Sequence, residues 1–326
     1  MNTIALFTGS FVIYWSGIVI ALGAVAGLAL ALALYSSHNR YTSGLWLMTA
    51  LTIIISIPLC RFLHWCCHVE QYRGFISAMT DYSSGGFCLP GAFAGCAIAA
   101  IIVKKALHTP DVWKLLDAFA PGLAIAIAFI RLSCMFNSTY RGKFYLTSSV
   151  RFPVYIPAFA IMLALAAGAV AFYILCHNDE MKSPCSAGGN VARLLLAAYS
   201  AVEIVLDSMR YDSSFLHFSG PLLKYLNKLA GSVSVAQLAA AVCIIWVFVF
   251  YIRCSIAANG KNILTYIMCG AFAAGFIGAA ACEYLVQRYT GSYAAIYVFQ
   301  TASAAVMMAA VCLAYVACRE KIPQKQ

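Results

Sequence analysis

The sequence contains little charge. Asp, Glu, Lys and Arg make up 10% of its 326 residues, whereas hydrophobic residues make up 63%, and the mean hydropathy is +0.86. Soluble globular proteins carry about 25% charged residues, so this shortage excludes that class. The composition instead predicts an all-α, polytopic integral membrane protein.

Acidic residues are especially scarce: 11 of them stand against 21 Lys and Arg, which leaves a net charge of +10. An excess of cations can serve nucleic-acid binding, but here the cations are spread over many short loops and no basic domain lies outside the apolar runs. Membrane topology accounts for this distribution better. We therefore expect the lipid bilayer as a partner and no nucleic acid.

The 14 cysteines include no CxxC pair. Most of them, such as Cys96, Cys243 and Cys312, stand inside apolar runs, where a free cysteine packs as a small apolar side chain. This pattern does not indicate a disulfide scaffold. We predict no metal site and no cofactor.

Apolar runs of about 17 to 25 residues are long enough to cross a bilayer as helices. About nine such runs occur, each ended by charges or by clusters of Gly, Pro and Ser. The predicted spans are 11–35, 45–67, 86–103, 113–136, 153–177, 193–209, 236–253, 262–286 and 293–318.

Nine spans with the N-terminus outside place the C-terminus inside. Eleven of the 21 cations then lie in the inner loops and tail, a modest bias in the direction of the positive-inside rule. The main exceptions, Arg141, Lys143 and Arg151, fall in one outer loop, so we expect a function to hold them there. Another outer segment, at about 210–235, contains LLKYLNKLA, which predicts an interfacial helix.

Arg131 stands at membrane depth, at the end of the run LAIAIAFIR. An arginine there costs about 2.5 to 3.5 kcal/mol unless it is paired, hydrated or bound to an anion. Asp117 or Glu203 could neutralise it as a structural ion pair. Alternatively, its neighbours form a basic pocket for an anionic lipid headgroup, and these neighbours are Asn137, Arg141, Gly142, Lys143 and Arg151.

The segment from Arg131 resembles the signature G-R-x-G-N-F-x-N-x-E-x-x-G of the prolipoprotein diacylglyceryl transferases. Arg131, Asn137 and Gly142 match its arginine, second asparagine and last glycine. Six other stretches resemble the family in the same order along the chain. They are YWSGIVIALG with Trp15, Gly17 and Gly23; CRFLHW with Arg61; GGFCLPGAFAG with Gly85, Gly86, Gly91 and Gly95; LLDAFAP with Asp117 and Pro121; RFPVYIPAFAIM; and AAYSAVEIVLDSMR with Tyr199 and Arg210.

The resemblance covers roughly residues 9–212. It implies a transferase-like membrane core at 1–253, followed by a two-helix transmembrane extension at 254–326. It also implies an enzyme of a bacterial cytoplasmic membrane that moves a diacylglyceryl group from phosphatidylglycerol to the lipobox cysteine of a prolipoprotein, with glycerol 1-phosphate as the leaving group. Guanidinium groups suit this reaction because they bind phosphate and stabilise charge on the leaving group.

The resemblance implies two sets of site residues. Arg131 and Asn137 are expected in catalysis. The residues expected to bind substrate are Arg61, Gly85, Gly86, Asp117, Arg141, Gly142, Lys143, Tyr199, Glu203 and Arg210.

Three positions depart from the family pattern. The histidine of the glycine-rich stretch is Pro90 here, the arginine of the sixth span is Glu203, and the tyrosine after Trp15 is Ser16. Proline accepts no proton, and Glu203 reverses a charge. Two alternatives therefore stay open: a non-catalytic or differently selective membrane protein that binds anionic lipid, and a small-solute transporter, although we see neither inverted repeats nor paired broken helices.

Some of these residues also have structural interpretations. Asp207 and Arg210 are three residues apart on one helix face and can pair with each other. Gly91 and Gly95 form a small-xxx-small step that suits helix packing. Glu283 is a lone intramembrane carboxylate in the extension, for which we expect an interior hydrogen bond.

Overall fold

The structure is a computed structural model that describes residues 4–8, 11–37, 42–72, 74–80, 86–106, 112–137, 139–143, 145–147, 150–177, 188–213, 233–288 and 293–318. Within these residues the chain forms nine long helices, and its only strands are two short antiparallel pairs. The predicted all-α class is confirmed. The interfacial helix predicted around LLKYLNKLA falls on 214–232, outside the described residues.

The elements follow one another in this order: β1 (Ile4–Thr8), β2 (Phe11–Tyr14), α1 (Trp15–Ser36), α2 (Ser43–Cys67), a 3-10 turn (Val69–Gln71), α3 (Phe75–Thr80), α4 (Leu89–Ala106), α5 (Val112–Asn137), β3 (Tyr145–Thr147), β4 (Val150–Arg151), α6 (Tyr155–His177), α7 (Asn190–Met209), α8 (Val235–Asn259), α9 (Ile263–Arg288) and α10 (Ala294–Val316). β1 pairs with β2 and β3 with β4.

The first predicted span, 11–35, begins too early. Residues Phe11–Tyr14 form β2, and α1 begins only at Trp15. The segment is made of aromatic and β-branched residues, which favour strands, and its pairing with β1 outweighs the apolar run that continues through it.

Eight of the nine long helices contain an apolar stretch long enough to cross a membrane, so the chain is a multi-pass membrane protein. The exception is α7, which carries Arg193, Glu203 and Asp207 within 20 residues. All three side chains are buried against neighbouring helices. α7 is therefore an interior helix whose polar face packs against other helices.

Glycines set the closest helix contacts. A Cβ atom on Gly27 of α1 would collide with the carbonyl oxygen of Gly122 on α5, and a Cβ on Gly122 would collide with the carbonyl of Gly27. Likewise, a Cβ on Gly91 would lie 2.5 Å from Cα of Cys60 on α2, and one on Gly95 would crowd the same helix. The helix-packing interpretation of Gly91 and Gly95 is confirmed.

The two helices of the predicted extension, α9 and α10, share a hydrophobic core with α7 and α8. The rings of Phe248 and Phe272 stack with their centroids 4.0 Å apart. Tyr251, Met268 and Met307 are fully buried in the same cluster. Residues of 254–326 thus contribute to the packing around the polar face of α7.

Candidate functional site

Arg131 and Glu203 form a buried ion pair between α5 and α7. Nη2 of Arg131 lies 2.5 Å from Oε1 and 2.7 Å from Oε2 of Glu203, and the two side chains are 7% and 4% exposed. The hydroxyl of Tyr199, one turn before Glu203, lies 3.5 Å from the same nitrogen. Of the two ion-pair partners that the sequence left open for Arg131, the structure shows Glu203.

The ion pair uses only part of the guanidinium. An arginine has five N–H donors, and every hydrogen bond of Arg131 to the described residues runs through Nη2. Nε and Nη1 have no acceptor in the described part of the chain, and neither is among its fully buried unpartnered atoms. Three N–H groups therefore stay available to an incoming oxyanion.

Tyr140 lies between two arginines. The guanidinium carbons of Arg131 and Arg210 are each 4.2 Å from the centroid of its ring, which is the geometry of a cation–π contact. Its backbone has a φ of 60°, uncommon for an aromatic residue, and its N–H donates to Oδ2 of Asp212 at 2.8 Å. Its hydroxyl is buried without a partner among the described residues, and burial raises the pKa of the phenol. Tyr140 thus offers an unused polar group beside Arg131.

Arg210 is held by two carboxylates. Its Nη1 lies 2.7 Å from Oδ1 of Asp207 and its Nε lies 3.2 Å from Oδ1 of Asp212. The pairing expected within α7 is therefore confirmed. Because Asp207 is buried and Asp212 also fixes the backbone of Tyr140, the two arginines and the tyrosine form one arrangement, which we call the Arg131 cluster: Arg131, Tyr140, Glu203, Asp207, Arg210 and Asp212.

The segment after Tyr140 pairs with the chain that leaves α7. Gly142 forms a bridge with Arg210, Lys143 N–H donates to the carbonyl of Met209 at 2.9 Å, and Tyr211 N–H donates to that of Arg141 at 2.8 Å. A Cβ on Gly142 would meet Phe152 at 3.2 Å, so the glycine permits this close approach. The signature-like segment is thereby fixed against the end of α7.

Lys143 lies half-buried beside the Arg131 cluster. Burial lowers the pKa of its ammonium group, and the carboxylates of Glu283 and Asp207 oppose that shift. No carboxylate of the described residues lies within ion-pair distance of it. Lys143 is therefore a half-buried cation without a direct carboxylate partner among the described residues.

Arg61 contacts the segment that leads into α4, which includes Gly86. Nε of Arg61 donates to the carbonyl of Ala78 at 2.6 Å, and Nη1 donates to that of Gly86 at 3.0 Å. Gly86 has a φ of 86°, and a Cβ there would collide with the ring of His64. Arg61 thus fixes the segment that leads into α4. Gly85 lies outside the described residues.

Asp117 lies at the other end of α5. It is fourteen residues from Arg131, which is about 21 Å along a helix. Its two oxygens accept the N–H groups of Gly189 and Ala192 at 2.9 Å each, so it caps the first turn of α7 from a neighbouring helix. Asp117 as the ion-pair partner of Arg131 is wrong, because the helix carries the two side chains to opposite ends of the bundle.

The remaining predicted residues lie on the chain segments that adjoin the Arg131 cluster. Asn137 is exposed at the last position of α5. Arg141 is half-buried. The guanidinium of Arg151 lies 3.6 Å from the ring centroid of Tyr211 and donates to Gly142 O at 3.5 Å. Arg151 therefore contacts the two paired segments that adjoin the cluster, one at Gly142 and the other at Tyr211.

Sequence reasoning missed several members of this site. Tyr140 stands inside the signature-like segment, directly before Arg141, and that position was its one visible signal. Ser234 and Gln237 match the Ser-x-x-Gln capping-box pattern before an apolar run, which could have marked the start of α8. Asp212 has no such signal, since its role depends on the turn after α7. In the described residues no group of His, Cys, Asp and Glu is arranged to hold a metal ion.

The sequence that forms this site matches a known protein family. The model of the family described as prolipoprotein diacylglyceryl transferase matches residues 3–253. The chain belongs to the prolipoprotein diacylglyceryl transferase family. The match includes every residue of the Arg131 cluster, whereas α9 and α10 lie beyond it.

Three relatives from this family show how far the sequence has diverged from theirs. The phosphatidylglycerol–prolipoprotein diacylglyceryl transferase of Acaryochloris marina is 25% identical over 227 residues, covering 66% of this chain and 80% of the relative. That of Nostoc sp. is 25% identical over 269 residues, covering 74% and 87%. That of Listeria innocua is 27% identical over 142 residues, covering 44% and 51%.

Proposed function

We propose that this protein is a phosphatidylglycerol:prolipoprotein diacylglyceryl transferase of a bacterial cytoplasmic membrane, with its N-terminus outside and its C-terminus inside. Membership of the transferase family supports the reaction. The observation that carries the site is Arg131, buried at 6% exposure yet with three N–H groups left without an acceptor in the described residues. A lipid phosphate is an anion with several acceptor oxygens, and it can accept hydrogen bonds from these guanidinium donors.

In the proposed reaction, the sulfur of the lipobox cysteine forms a bond to the glyceryl carbon that carries the phosphate. The carbon–oxygen bond to the phosphate breaks, glycerol 1-phosphate leaves with the electron pair, and the thiol proton passes to a base. Arg131 binds the phosphate and stabilises the charge that grows on it. Asn137, Arg141 and Lys143 lie around the same end, where they contribute positive potential and polar contacts.

The second candidate is a lipid-binding member of the family without transferase activity. The observation that favours it is the Arg131–Glu203 pair itself, which neutralises the phosphate-binding arginine. Pro90 adds to it, because this side chain accepts no proton. In both candidates the partners are phosphatidylglycerol and the bilayer; a prolipoprotein substrate belongs to the transferase alone.

The proposal also includes a division of the chain into a transferase-like membrane core at 1–253 and a C-terminal extension at 254–326.

The deciding experiment expresses the full chain in a bacterium depleted of its own transferase and follows the mass of a reporter lipoprotein. The proposed function expects a diacylglyceryl mass gain with the wild type, none with Arg131→Ala, and wild-type behaviour with Arg288→Ala. Arg288 is a matched control because it is an exposed arginine at the same end of the bundle, stacked on Tyr284 at 4.6 Å.

Each other outcome has a defined meaning. No mass gain from well-expressed wild type, together with phosphatidylglycerol retained through purification, selects the lipid-binding alternative. Activity of Arg131→Ala equal to wild type would overturn the assignment of the phosphate to Arg131. The double variant Pro90→His/Glu203→Arg, which restores two family residues, then asks whether the family pattern alone raises turnover.

A further inference from the structure

Glu283 is a buried carboxylate of α9 without a cation in direct contact among the described residues. It is 5% exposed, and no Lys, Arg or His of the described residues lies within ion-pair distance. Three glutamine amides bind it instead: Nε2 of Gln237 at 2.8 Å and of Gln300 at 3.3 Å on Oε2, and Nε2 of Gln287 at 2.9 Å on Oε1. These donors come from three helices, Gln237 from α8, Gln287 from α9 and Gln300 from α10, and both oxygens of the buried carboxylate accept from them.

The side-chain amide of Gln300 is oriented by the carboxylate of Glu283. Gln300 is completely buried, and its Oε1 has no partner among the described residues while its Nε2 donates to Glu283. A buried amide that leaves its own oxygen unpartnered loses free energy. The donor side is therefore held toward Glu283 at a cost elsewhere.

Gln237 connects Glu283 to the start of α8. Its Oε1 accepts the N–H of Ser234 at 3.1 Å, and the hydroxyl of Ser234 accepts the N–H of Gln237 at 3.1 Å, which completes a capping box. The same Ser234 hydroxyl donates to Oδ2 of Asp207. The amide bound to Glu283 thus fixes the residue that holds Asp207.

Asp207 connects this chain of contacts to the Arg131 cluster. Its Oδ1 accepts from Nη1 of Arg210 at 2.7 Å, while Ser234 occupies its other oxygen. The guanidinium carbons of Arg210 and Arg131 each lie 4.2 Å from the ring centroid of Tyr140. Every contact from Glu283 to Arg131 is therefore direct, and the first of them comes from a helix outside the family match.

We propose that Glu283 is a positioning residue of this site, through which α9 and α10 fix the orientation of Asp207 and Arg210 against Tyr140. The inference rests on the proposed function for its readout in turnover. It assigns the C-terminal helices a part in the reaction: they keep two guanidinium groups in register around one ring. A shift of about 1 Å in such a group can lower the rate of a reaction by about 100-fold.

The test compares Glu283→Gln with Thr265→Val in the full chain. Glu283→Gln keeps the size of the side chain but places an amide N–H₂ among three amide donors. Thr265 is the matched control because it is a buried polar residue of the same helix, 18 residues away at the opposite end. We expect kcat for diacylglyceryl transfer to fall about 10- to 100-fold in Glu283→Gln, with KM for phosphatidylglycerol within about threefold of wild type, and no change in Thr265→Val.

A swap variant separates positioning from simple loss of folding. Gln237→Glu combined with Glu283→Gln moves the carboxylate to the other side of the same contact, and glutamate also serves in a capping box. Positioning expects the swap to recover most of the lost kcat. Failure of the swap to recover activity, although the protein folds and its thermal midpoint equals that of wild type, would overturn the inference.

The outcomes also distinguish this inference from the proposed function. If wild type transfers the group and Glu283→Gln retains its kcat, the inference fails and the transferase stands. If wild type shows no transfer, the transferase fails, and the thermal midpoint in nanodiscs with and without phosphatidylglycerol becomes the readout. The inference then expects the lipid-dependent gain of wild type to be lost in Glu283→Gln and regained in the swap; an unchanged gain in Glu283→Gln, or none in wild type, overturns it.

Discussion

Replacing Glu203 by glutamine tests the ion pair on which the site depends. The substitution keeps the shape of the side chain but removes the charge that faces Arg131. Nη2 of Arg131 now lies within 2.7 Å of both carboxylate oxygens, and both side chains are at least nine-tenths buried. The variant therefore leaves a buried guanidinium without its counter-charge.

The size of the effect follows from burial and distance. Two unit charges about 4 Å apart attract by about 4 kcal/mol at an effective dielectric constant of about 20, and loss of one partner of a buried pair destabilises proteins by about 3 to 5 kcal/mol. The Tyr140 ring lies 4.2 Å from Arg131 in the wild type and stays there in the variant, so this contact leaves the difference unchanged. The glutamine oxygen still accepts one hydrogen bond from Arg131, so the lower end of that range applies. We expect the free energy of unfolding to fall by about 3 kcal/mol, which is about a 100-fold change in the unfolding equilibrium.

The assay is reversible unfolding of the purified protein in mixed micelles, with the double variant Arg131→Met/Glu203→Met beside the two single variants. Replacement of both partners by apolar residues removes both desolvation costs, so the double variant should be more stable than Glu203→Gln. A loss below about 0.5 kcal/mol in Glu203→Gln, the range of a solvent-exposed pair, would refute the claim that this pair is dry and structural.

The same variant tests whether Glu203 and a lipid phosphate compete for Arg131. Glu203→Gln frees Nη2, so phosphatidylglycerol should bind more tightly, and a tenfold gain in affinity adds about 1.4 kcal/mol of lipid-dependent stabilisation at saturating lipid. Thermal midpoints in nanodiscs with phosphatidylglycerol, against nanodiscs with phosphatidylcholine alone, measure this gain. An equal lipid effect in wild type and variant would show that Glu203 and the phosphate do not compete for Nη2 of Arg131.

Three further predictions concern other contacts. Asp117→Ala should lower the free energy of unfolding by about 1 to 2 kcal/mol, because two N–H groups at the start of α7 lose their acceptor. Gly27→Leu should destabilise by about 1 to 3 kcal/mol or prevent folding, because its side chain would meet the backbone of α5, whereas Gly17→Ala, on the same helix with open space around it, should have little effect. Lys143→Met should stabilise the protein most at neutral pH. Burial lowers the folded-state pKa of the Lys143 ammonium group, so the folded wild type binds this proton more weakly than the unfolded chain does. The wild type therefore gains stability as the pH rises above the folded-state pKa. Denaturant titrations from pH 7 to pH 10 should show the advantage of Lys143→Met shrinking, and a constant difference would contradict the shift.

The sequence predicted the membrane class and most of the spans because both depend on composition and run length. Eight helices lie where apolar runs of sufficient length occur. The start of α1 was wrong because an apolar run alone does not distinguish a strand from a helix. α7 was recognised only in part, since a helix with buried charges has a shorter apolar run than a helix that faces lipid.

The site was predictable where contacts follow from short sequence distance or from charge. Arg131 required an anion, and Glu203 supplied one; Asp207 and Arg210 are three residues apart and pair as the helix period suggests. The place of Asp117 could have been excluded from the rise of a helix, because fourteen residues separate opposite ends of a membrane span. The position of Tyr140 could not be derived, since it depends on a left-handed backbone at that residue and on a turn 72 residues later.

The buried acidic residues of α7 take their partners from several neighbouring segments. Glu203 forms an ion pair with Arg131 of α5. Asp207 forms an ion pair with Arg210 and accepts a hydrogen bond from Ser234 at the start of α8. Glu283 faces the same layer from α9 and is answered by amides alone. Burial lowers the pKa of the Lys143 ammonium group, and the carboxylates of Glu283 and Asp207 oppose that shift. The helices beyond the family match therefore place a buried carboxylate as well as apolar packing next to these residues, so a comparison with relatives limited to 3–253 would omit that carboxylate.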